Sequence, residues 1–273
     1  MARAVRRHVP AFSLPCEGTP FSVYMEYWAR ADVPPGPGIH SFAGPNVWTA
    51  EYPGYWIVGI GQPRPMDETR AMHAAWVARH LPGKKEVLRS VTGVIPYSFS
   101  PATLVDDGVL LIGDAAATNK PFNGEGISSG MDLVSTAADL LPAGVQSGGG
   151  RSALWGINQR YFPDQGAKFA LLRAMGMSLQ GFEEEDINAA FEAGFMNGED
   201  LRQTFLEYEV RKPPARWLAP AVRMARKGPP ARKYFKAVLR AARLGSLLKR
   251  YPEEARFGPW ERKYRKQVAA LSS

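Results

Sequence analysis

The sequence predicts a mixed fold, α+β passing into α/β, in which an antiparallel sheet precedes a strand–loop–helix unit and a helical C-terminal region. Runs rich in aromatic and β-branched residues, separated by Pro and Gly, indicate the sheet. A short apolar run followed by a glycine-rich loop indicates the second part, and apolar residues spaced three and four apart indicate the helices of the third. The predicted parts cover residues 1–105, 106–142 and 143–273.

The first part contains strand candidates that are each bounded by turn residues, and they lie at 21–30, 39–42, 46–52, 55–61 and 89–96. Because these strands follow one another through short Pro- and Gly-containing turns, we expect an antiparallel, aromatic-lined sheet. A helix is predicted over 67–81, since Met72, Trp76 and Val77 share a helical face and a Pro-Gly pair follows.

The second part carries the chemistry. An apolar run at 109–112 follows an Asp-Asp-Gly turn signal, and it predicts a fully buried strand. Open α/β sheets bind ligands at the carboxyl ends of their strands, and a glycine-opened helix N-terminus presents free N–H groups to an anion. Six residues define the expected site, between that strand and a helix predicted over 127–141: Gly113, Asp114, Pro121, Gly124, Gly126 and Ile127.

The third part is predicted to be helical. A Val-Gln-Ser-Gly-Gly-Gly segment at 145–150 indicates a flexible linker. Helical spacing then covers 152–181 in two pieces that break near Pro163, because proline cannot continue the hydrogen-bond ladder of a helix. Short helices are predicted at 187–195 and 200–210.

The stretch 109–141 closely resembles the second FAD-binding motif of the p-hydroxybenzoate hydroxylase-like flavoproteins, and within that group it is most similar to the geranylgeranyl reductase family. The resemblance implies a Rossmann-like FAD domain whose closing strand and helix lie here. It implies that Asp114, after Gly113, accepts a hydrogen bond from a ribityl hydroxyl of FAD. Pro121, Gly124, Gly126 and Ile127 would pass under the isoalloxazine, with the helix N-terminus facing its N1/O2 edge.

The N-terminal unit that carries the ADP half of FAD in this family is missing from the sequence. Its Gly-x-Gly-x-x-Gly motif occurs nowhere, since Gly59-Ile-Gly61 is followed by Pro63 and Pro65, which forbid the required helix start. A basic run at 3–7 is similar to the end of that unit. We therefore expect the chain to be the C-terminal portion of such a flavoprotein, with a separate chain or an upstream segment supplying the missing unit.

Tyr52, Tyr55 and Trp56 are candidates for the substrate pocket. They resemble the family's Tyr-x-Trp-x-Phe-Pro element, which lines an apolar cavity over the flavin, although the Phe-Pro pair is absent here. Aromatic residues of strands also pack the cores of sheets, so both roles stay open for these three residues. Lys120, just before Pro121, is expected to face solvent.

Composition restricts the remaining classes of function. The 273 residues are 45% hydrophobic and 22% charged, as in a folded soluble protein, and no apolar run could span a bilayer. The single cysteine, Cys16, excludes an internal disulfide, and the four histidines lack the spacing of metal ligands. We expect a cytoplasmic protein without a metal.

The net charge of +8 is unevenly distributed. Residues 211–273 hold 18 Lys or Arg against 3 Glu, whereas residues 1–210 hold 16 basic and 23 acidic residues. Two faces are predicted for a helix over 231–242: an apolar face of Tyr234, Phe235, Val238, Leu239 and Ala242, and a basic face of Lys233, Lys236, Arg240 and Arg243. Such a helix can bind an anionic membrane surface through 211–266, or it can be a solvated face packed on the protein. No nucleic-acid motif accompanies the charge.

By the family resemblance, the expected function is FAD-dependent reduction of isoprenoid double bonds by hydride transfer, with NAD(P)H or another reductant as electron donor. No catalytic acid or base is predicted, because cofactor and apolar pocket would carry the reaction. A flavin-dependent monooxygenase or halogenase of the same superfamily is the alternative. A third class is a non-catalytic fragment that binds an apolar ligand or a membrane.

Overall fold

The computed structural model describes residues 9, 12–14, 21–29, 38–39, 46–81, 86–121, 124–179, 183–206 and 215–271. It divides into two compact units, one formed by 17–97 and the other by 1–16 with 98–273. The basic run at 3–7, Cys16 and part of the strand predicted at 39–42 lie outside the described residues. The predicted boundaries at 105 and 142 stay a prediction.

An antiparallel sheet makes up most of the first unit, as the sequence predicts. In the described part of this unit its five strands have the order β2-β3-β4-β1-β5, and every neighbouring pair is antiparallel. The strands are β1 (Phe21–Ala29), β2 (Gly38–Ile39), β3 (Asn46–Tyr52), β4 (Tyr55–Gln62) and β5 (Val87–Ile95), and helix α1 (Met66–His80) lies between β4 and β5 in sequence.

Helix α1 packs on one face of this sheet. Trp28 of β1 lies directly opposite Trp56 of β4, and both are buried together with Val77 of the helix. The His73 ring makes an edge contact with Tyr24. Its Nε2 atom lies 3.2 Å from the backbone oxygen of Val58 in β4. Side chains alternate along a strand, so the opposite face belongs to the intervening residues, among them Tyr27 and Tyr55.

The second unit begins with a short hairpin rather than a long strand. Strand β6 (Val105–Asp106) pairs antiparallel with β7 (Val109–Leu110) across a turn at Gly108, whose φ is +65°. The prediction of a fully buried strand over 109–112 is wrong, because β7 has two half-buried residues. A strand extends only as far as its hydrogen-bonded partner, and beyond β7 the pairing is reduced to Leu111 N–H donating to Leu104 O at 2.8 Å.

Helices form the rest of this unit. They are α2 (Ile127–Ala138), α3 (Leu141–Gln146), α4 (Arg151–Tyr161), α5 (Ala167–Leu179), α6 (Glu184–Glu192), α7 (Gly198–Leu206), α8 (Ala215–Ala225), α9 (Pro229–Leu248) and α10 (Phe257–Ala269). The predicted break near Pro163 is confirmed as one turn of π-helix over Phe162–Gly166. None of the helices in the ranges described above is long and apolar enough to cross a membrane.

The predicted linker at 145–150 is instead the end of α3 followed by an ordered turn that leads to α4. Gly148 and Gly149 adopt positive φ values of +96° and +66°, and Gly149 N–H donates to Gly144 O at 2.9 Å. Glycine adopts this left-handed conformation without steric cost, so the Gly-Gly-Gly run reverses the chain tightly here. A glycine-rich composition therefore indicated flexibility where the structure has a turn.

The core of the second unit lies between α2, α4, α5, α9 and α10. A group of aromatic rings from α4 and the C-terminal segment packs in it: Trp155 makes an edge contact with Phe257, and Trp260 stacks on Tyr264 with 5.3 Å between ring centroids. This packing places the C-terminal helix, α10, against the segment that precedes β6.

Candidate functional site

The segment before the Gly-Asp motif is held by side chains from distant helices. Asn158 of α4 is fully buried; its Oδ1 accepts a hydrogen bond from Leu104 N–H at 2.8 Å, and its Nδ2 donates to Thr103 Oγ1 at 2.8 Å. Tyr264 of α10 donates its hydroxyl to Ser100 O, also at 2.8 Å. These bonds fix the backbone that enters β6 and β7, and so they fix where the motif begins.

Gly113 and Asp114 form the start of a tight turn. Gly113 has φ of +59° and opens a 3₁₀ helix over Gly113–Ala116. The backbone oxygen of Gly113 accepts two hydrogen bonds from Thr118, one from N–H at 3.2 Å and one from Oγ1 at 3.1 Å. The turn leaves the Asp114 side chain exposed.

The loop that follows is closed by its own backbone. Lys120 N–H donates to Glu125 O at 2.8 Å, and Gly124 N–H donates to Lys120 O at 3.0 Å. The Lys120 side chain is only 11% exposed and forms an ion pair with Glu125, so the expectation that it faces solvent is wrong. The physical reason is that the closed loop brings the carboxylate back over the ammonium group.

The Glu125 carboxylate is held from two sides. Its hydrogen bond with Lys120 lowers its pKa below the usual 4.5, and Ser128 Oγ adds a hydrogen bond to Oε1 at 2.7 Å. Glu125 stands between Gly124 and Gly126 in sequence, so the ion pair sets the path of the glycine-containing backbone. The Glu125 carboxylate therefore stabilises the closed conformation of the loop.

The N-terminus of α2 comes next to the Gly-Asp turn. Gly126 is its N-cap residue and has no side chain, and the neighbouring Glu125 carboxylate accepts hydrogen bonds from the backbone and the hydroxyl of Ser128 in the first turn. A Cβ atom on Gly126 would lie 3.4 Å from Asp114 Oδ1, and one on Gly130 would lie 3.8 Å from Gly113 Cα. The structure thus brings together a carboxylate, which accepts hydrogen bonds from hydroxyl groups, and helix N–H groups, which donate to an anion.

A buried arginine that sequence reasoning missed supports this loop. Arg173 of α5 is 2% exposed; its Nη1 donates to Pro121 O at 3.2 Å, and its Nη2 donates to Asn119 O at 3.3 Å and Asn119 Oδ1 at 3.2 Å. A charged residue between Leu172 and Ala174 in an otherwise apolar stretch was the only signal in the sequence. Arg173 holds the loop at the point where it passes from Asn119 to Pro121.

The three aromatic candidates of the sheet do not share one face. Tyr52 and Tyr55 are paired across the β3–β4 turn, with stacked rings 5.3 Å apart. Trp56 points to the opposite face and is buried in the core beneath α1, so packing accounts for it. On the face of Tyr55, the Trp48 ring lies over Gly59, where a Cβ would be 2.4 Å from ring atoms. A role of Tyr52 and Tyr55 in binding substrate stays a prediction.

No protein-family model matches the sequence. Two curated relatives do: the digeranylgeranylglycerophospholipid reductase of Sulfolobus acidocaldarius, 29% identical over 119 residues, and that of Methanothrix thermoacetophila, 27% identical over 125 residues. These matches cover 43% and 46% of this chain but only 26% and 31% of the relatives. The chain therefore corresponds to about a quarter to a third of the curated relatives' length.

Two solved structures have a similar fold. A geranylgeranyl bacteriochlorophyll reductase-like protein from Thermoplasma acidophilum superposes with a TM-score of 0.60 at 17% identity, over 82% of this chain and 56% of that one. CmlS, a flavin-dependent halogenase, superposes with a TM-score of 0.50 at 15% identity, over 97% of this chain and 48% of that one. The predicted fold class and the predicted resemblance to the geranylgeranyl reductase family are confirmed.

Proposed function

From its relationship to the geranylgeranyl reductase family of flavoproteins, we propose that this chain is part of a FAD-dependent oxidoreductase and holds the isoalloxazine and ribityl portion of the cofactor. One observation carries the proposal: the Asp114 carboxylate and the N-terminus of α2 lie close together at Gly126. A ribityl chain offers hydroxyl donors, and a reduced isoalloxazine carries negative charge at one edge. The two kinds of protein group match these two parts of one ligand.

The residues of the site have distinct roles in this proposal. Asp114 accepts a hydrogen bond from a ribityl hydroxyl, and Gly113 and Gly126 keep the backbone close to the ligand because neither carries a Cβ. The loop from Pro121 through Gly124 lies against the ring plane, and the first-turn N–H groups of α2, from Ile127 onward, stabilise negative charge on the ring. Bound FAD would supply hydride for an isoprenoid double bond, after reduction by NAD(P)H or another donor.

The ADP half of FAD needs a further unit with a Gly-x-Gly-x-x-Gly motif, in the same polypeptide or in a second one. An apolar face of α2 supports its docking here. Ile127, Met131 and Val134 lie along this face at 79%, 67% and 48% exposure, directly after the proposed flavin site. Strand β7 also has only β6 as its partner in the part of the chain that the structure describes. A nucleotide-binding unit that adds a strand and covers α2 would bury both features.

A prenyl lipid is the substrate class we favour. Both curated relatives are named as reductases of a digeranylgeranylglycerophospholipid, whereas the halogenase is similar in fold alone. The reductase and the monooxygenase differ in whether the reaction consumes oxygen. A reductase adds two hydrogens to a geranylgeranyl double bond without oxygen, whereas a monooxygenase consumes oxygen together with NAD(P)H. Mass spectrometry of a geranylgeranyl lipid, after anaerobic incubation with the chain, its nucleotide-binding unit and reduced FAD, separates the two.

Titration of FAD into the purified chain tests the cofactor site separately from the reaction. We expect quenching of flavin fluorescence and weaker binding by Asp114→Ala, about tenfold or more, since a hydrogen bond to a charged group contributes about 1.5–3 kcal/mol. Asp132→Ala, an exposed carboxylate on α2, is the matched control. Unchanged flavin fluorescence, with and without an added Gly-x-Gly-x-x-Gly unit, would contradict the proposal.

A further inference from the structure

The two consecutive helices α8 and α9 carry a high density of unbalanced positive charge. Residues 215–250 contain eleven Lys or Arg and no Asp or Glu. Three of these cations bind within the protein: Arg223 donates to Ala193 O at 2.9 Å, Lys227 pairs with Glu192 at 2.6 Å, and Lys233 pairs with Asp186 at 2.7 Å. The other eight have no acidic partner among the described residues, and they are Arg216, Arg226, Arg232, Lys236, Arg240, Arg243, Lys249 and Arg250.

The apolar side of α9 is not the one that the sequence predicted. The helix buries a face formed by Ala231, Tyr234, Ala237, Ala241 and Leu244. Val238 packs at the edge of this face, but Phe235, Leu239 and Ala242 are exposed. The apolar arc is wider than one packing contact can cover, so part of the predicted stripe lies outside the core.

Exposed apolar residues occur as pairs on both α8 and α9. Phe235 and Leu239 of α9 are 36% and 52% exposed, and Leu218 and Val222 of α8 are 69% and 54% exposed. Each pair has i, i+4 spacing, which places its two side chains one above the other on the same helix face. Arg232, Lys236 and Arg243 occupy the solvent side of α9 next to Phe235 and Leu239.

We propose that the exposed sides of α8 and α9 dock on an anionic phospholipid surface. The exposed basic and apolar side chains of α8 and α9 fit a partner with negatively charged groups at its surface and apolar groups a short distance below them. Lipid phosphates pair with the arginine and lysine side chains, while Leu218, Leu239 and their neighbours reach the boundary of the acyl chains. Long basic side chains let the helix axis lie deeper than the charges, because they extend upward to the headgroups.

A nucleic acid would satisfy the charges but not the aliphatic side chains, since polyanion binding depends on phosphate contacts and on aromatic rings that stack with bases. Of the four exposed apolar residues, only Phe235 is aromatic. A lipid surface gives every member of the face a partner. Different residues form the docking surface and the proposed flavin site. A variant that loses flavin binding should therefore bind lipid as the wild type does.

Flotation with lipid vesicles tests the surface with the chain as it is. We expect binding to vesicles that contain phosphatidylglycerol, little binding to pure phosphatidylcholine, and release by salt. Lys236→Gln with Arg243→Gln should lower the partition coefficient about 25-fold, because each basic residue near an anionic surface contributes a factor of about five. Arg262→Gln with Lys263→Gln, two exposed cations of α10, is the control with equal charge loss.

A second pair of variants tests the apolar half. Leu239→Ser should weaken vesicle binding several-fold, whereas Val145→Ser on α3, where the side chain is 59% exposed, should not. All six substituted positions in the two experiments are exposed, so the melting temperature should stay constant and report intact folding. Equal binding to neutral and anionic vesicles, equal losses in variant and control, or tighter binding to duplex DNA than to vesicles would each overturn the proposal.

Discussion

Glycines play opposite parts in the sheet and in the Gly-Asp loop. A Cβ on Gly59 would lie 2.4 Å from the Trp48 ring, and one on Gly61 would lie 2.7 Å from the Phe21 ring. A Cβ on Gly126 would lie 3.4 Å from Asp114 Oδ1 and 3.8 Å from Asn119 Cβ, and its φ of −111° is available to any residue. Packing within the protein therefore requires glycine at Gly59 and Gly61, whereas it does not require glycine at Gly126.

This difference bears on function. In the sheet, aromatic side chains of the neighbouring strands occupy the positions that a Cβ on Gly59 or Gly61 would take. Gly126 lies next to a carboxylate and the N-terminus of α2, and in the proposal its lack of a Cβ lets the backbone approach the cofactor closely.

The largest expected effect comes from removing the support of the loop. Arg173→Met should lower the free energy of unfolding by about 3 kcal/mol, because the buried oxygens of Asn119 and Pro121 lose their charged donor. Urea denaturation measures this change, and hydrogen exchange should become faster over 117–126. Lys168→Met on the same helix removes a half-buried cation that pairs with the exposed Asp164, and it should cost less than about 1 kcal/mol. Equal costs would show that Arg173 does not hold the loop.

In the sheet, Gly59→Ala should lower the free energy of unfolding by about 2 kcal/mol, since the added methyl group overlaps the Trp48 ring. Gly93→Ala in the edge strand β5 is the matched control. A Cβ there has no atom within 4 Å, so we expect a change below about 0.5 kcal/mol. Thermal unfolding distinguishes the two variants, and a neutral Gly59→Ala would remove the contrast between sheet and loop.

Gly126→Ala should give the reverse pattern. Its effect on unfolding should be below about 0.5 kcal/mol, but the dissociation constant for FAD should rise about tenfold, because a methyl group would fill the space beside Asp114. Gly198→Ala, where a Cβ also has no close neighbour, should change neither quantity. If Gly126→Ala were destabilising and left FAD binding unaffected, packing would account for this glycine as well.

The smallest expected effect concerns the pH range of the loop's ion pair. Lys120 lowers the Glu125 pKa, so the stability that the pair contributes is complete above about pH 4.5 and is lost as pH falls further, through the lowered value. Lys120→Met should raise this pKa towards 4.5, as measured by NMR titration of the side-chain carboxyl carbon. A titration curve identical to that of the wild type would mean that the pair does not form in solution.

The left-handed conformation of Gly113 and the π-helical form of the turn beside Pro163 were not predicted. Strand β3 over Asn46–Tyr52 and an interruption of helical spacing near Pro163 could be predicted from the sequence, because local residues dictate them. The support of the loop could not, because Arg173 bonds to carbonyl groups more than 50 residues away, and backbone oxygens carry no sequence signal. The face of the sheet on which Trp56 lies could not be predicted either, because it depends on the register with Trp28, which is set by the pairing of the two strands.

The central claim is that FAD binds where the Gly-Asp turn meets α2. Hydrogen exchange of the chain, with and without saturating FAD, tests this location most directly. We predict slower exchange over 113–121 and 124–130 when FAD is present, with β3 and β4 unchanged. Protection confined to any other segment, with unaltered exchange over 113–130, would contradict it.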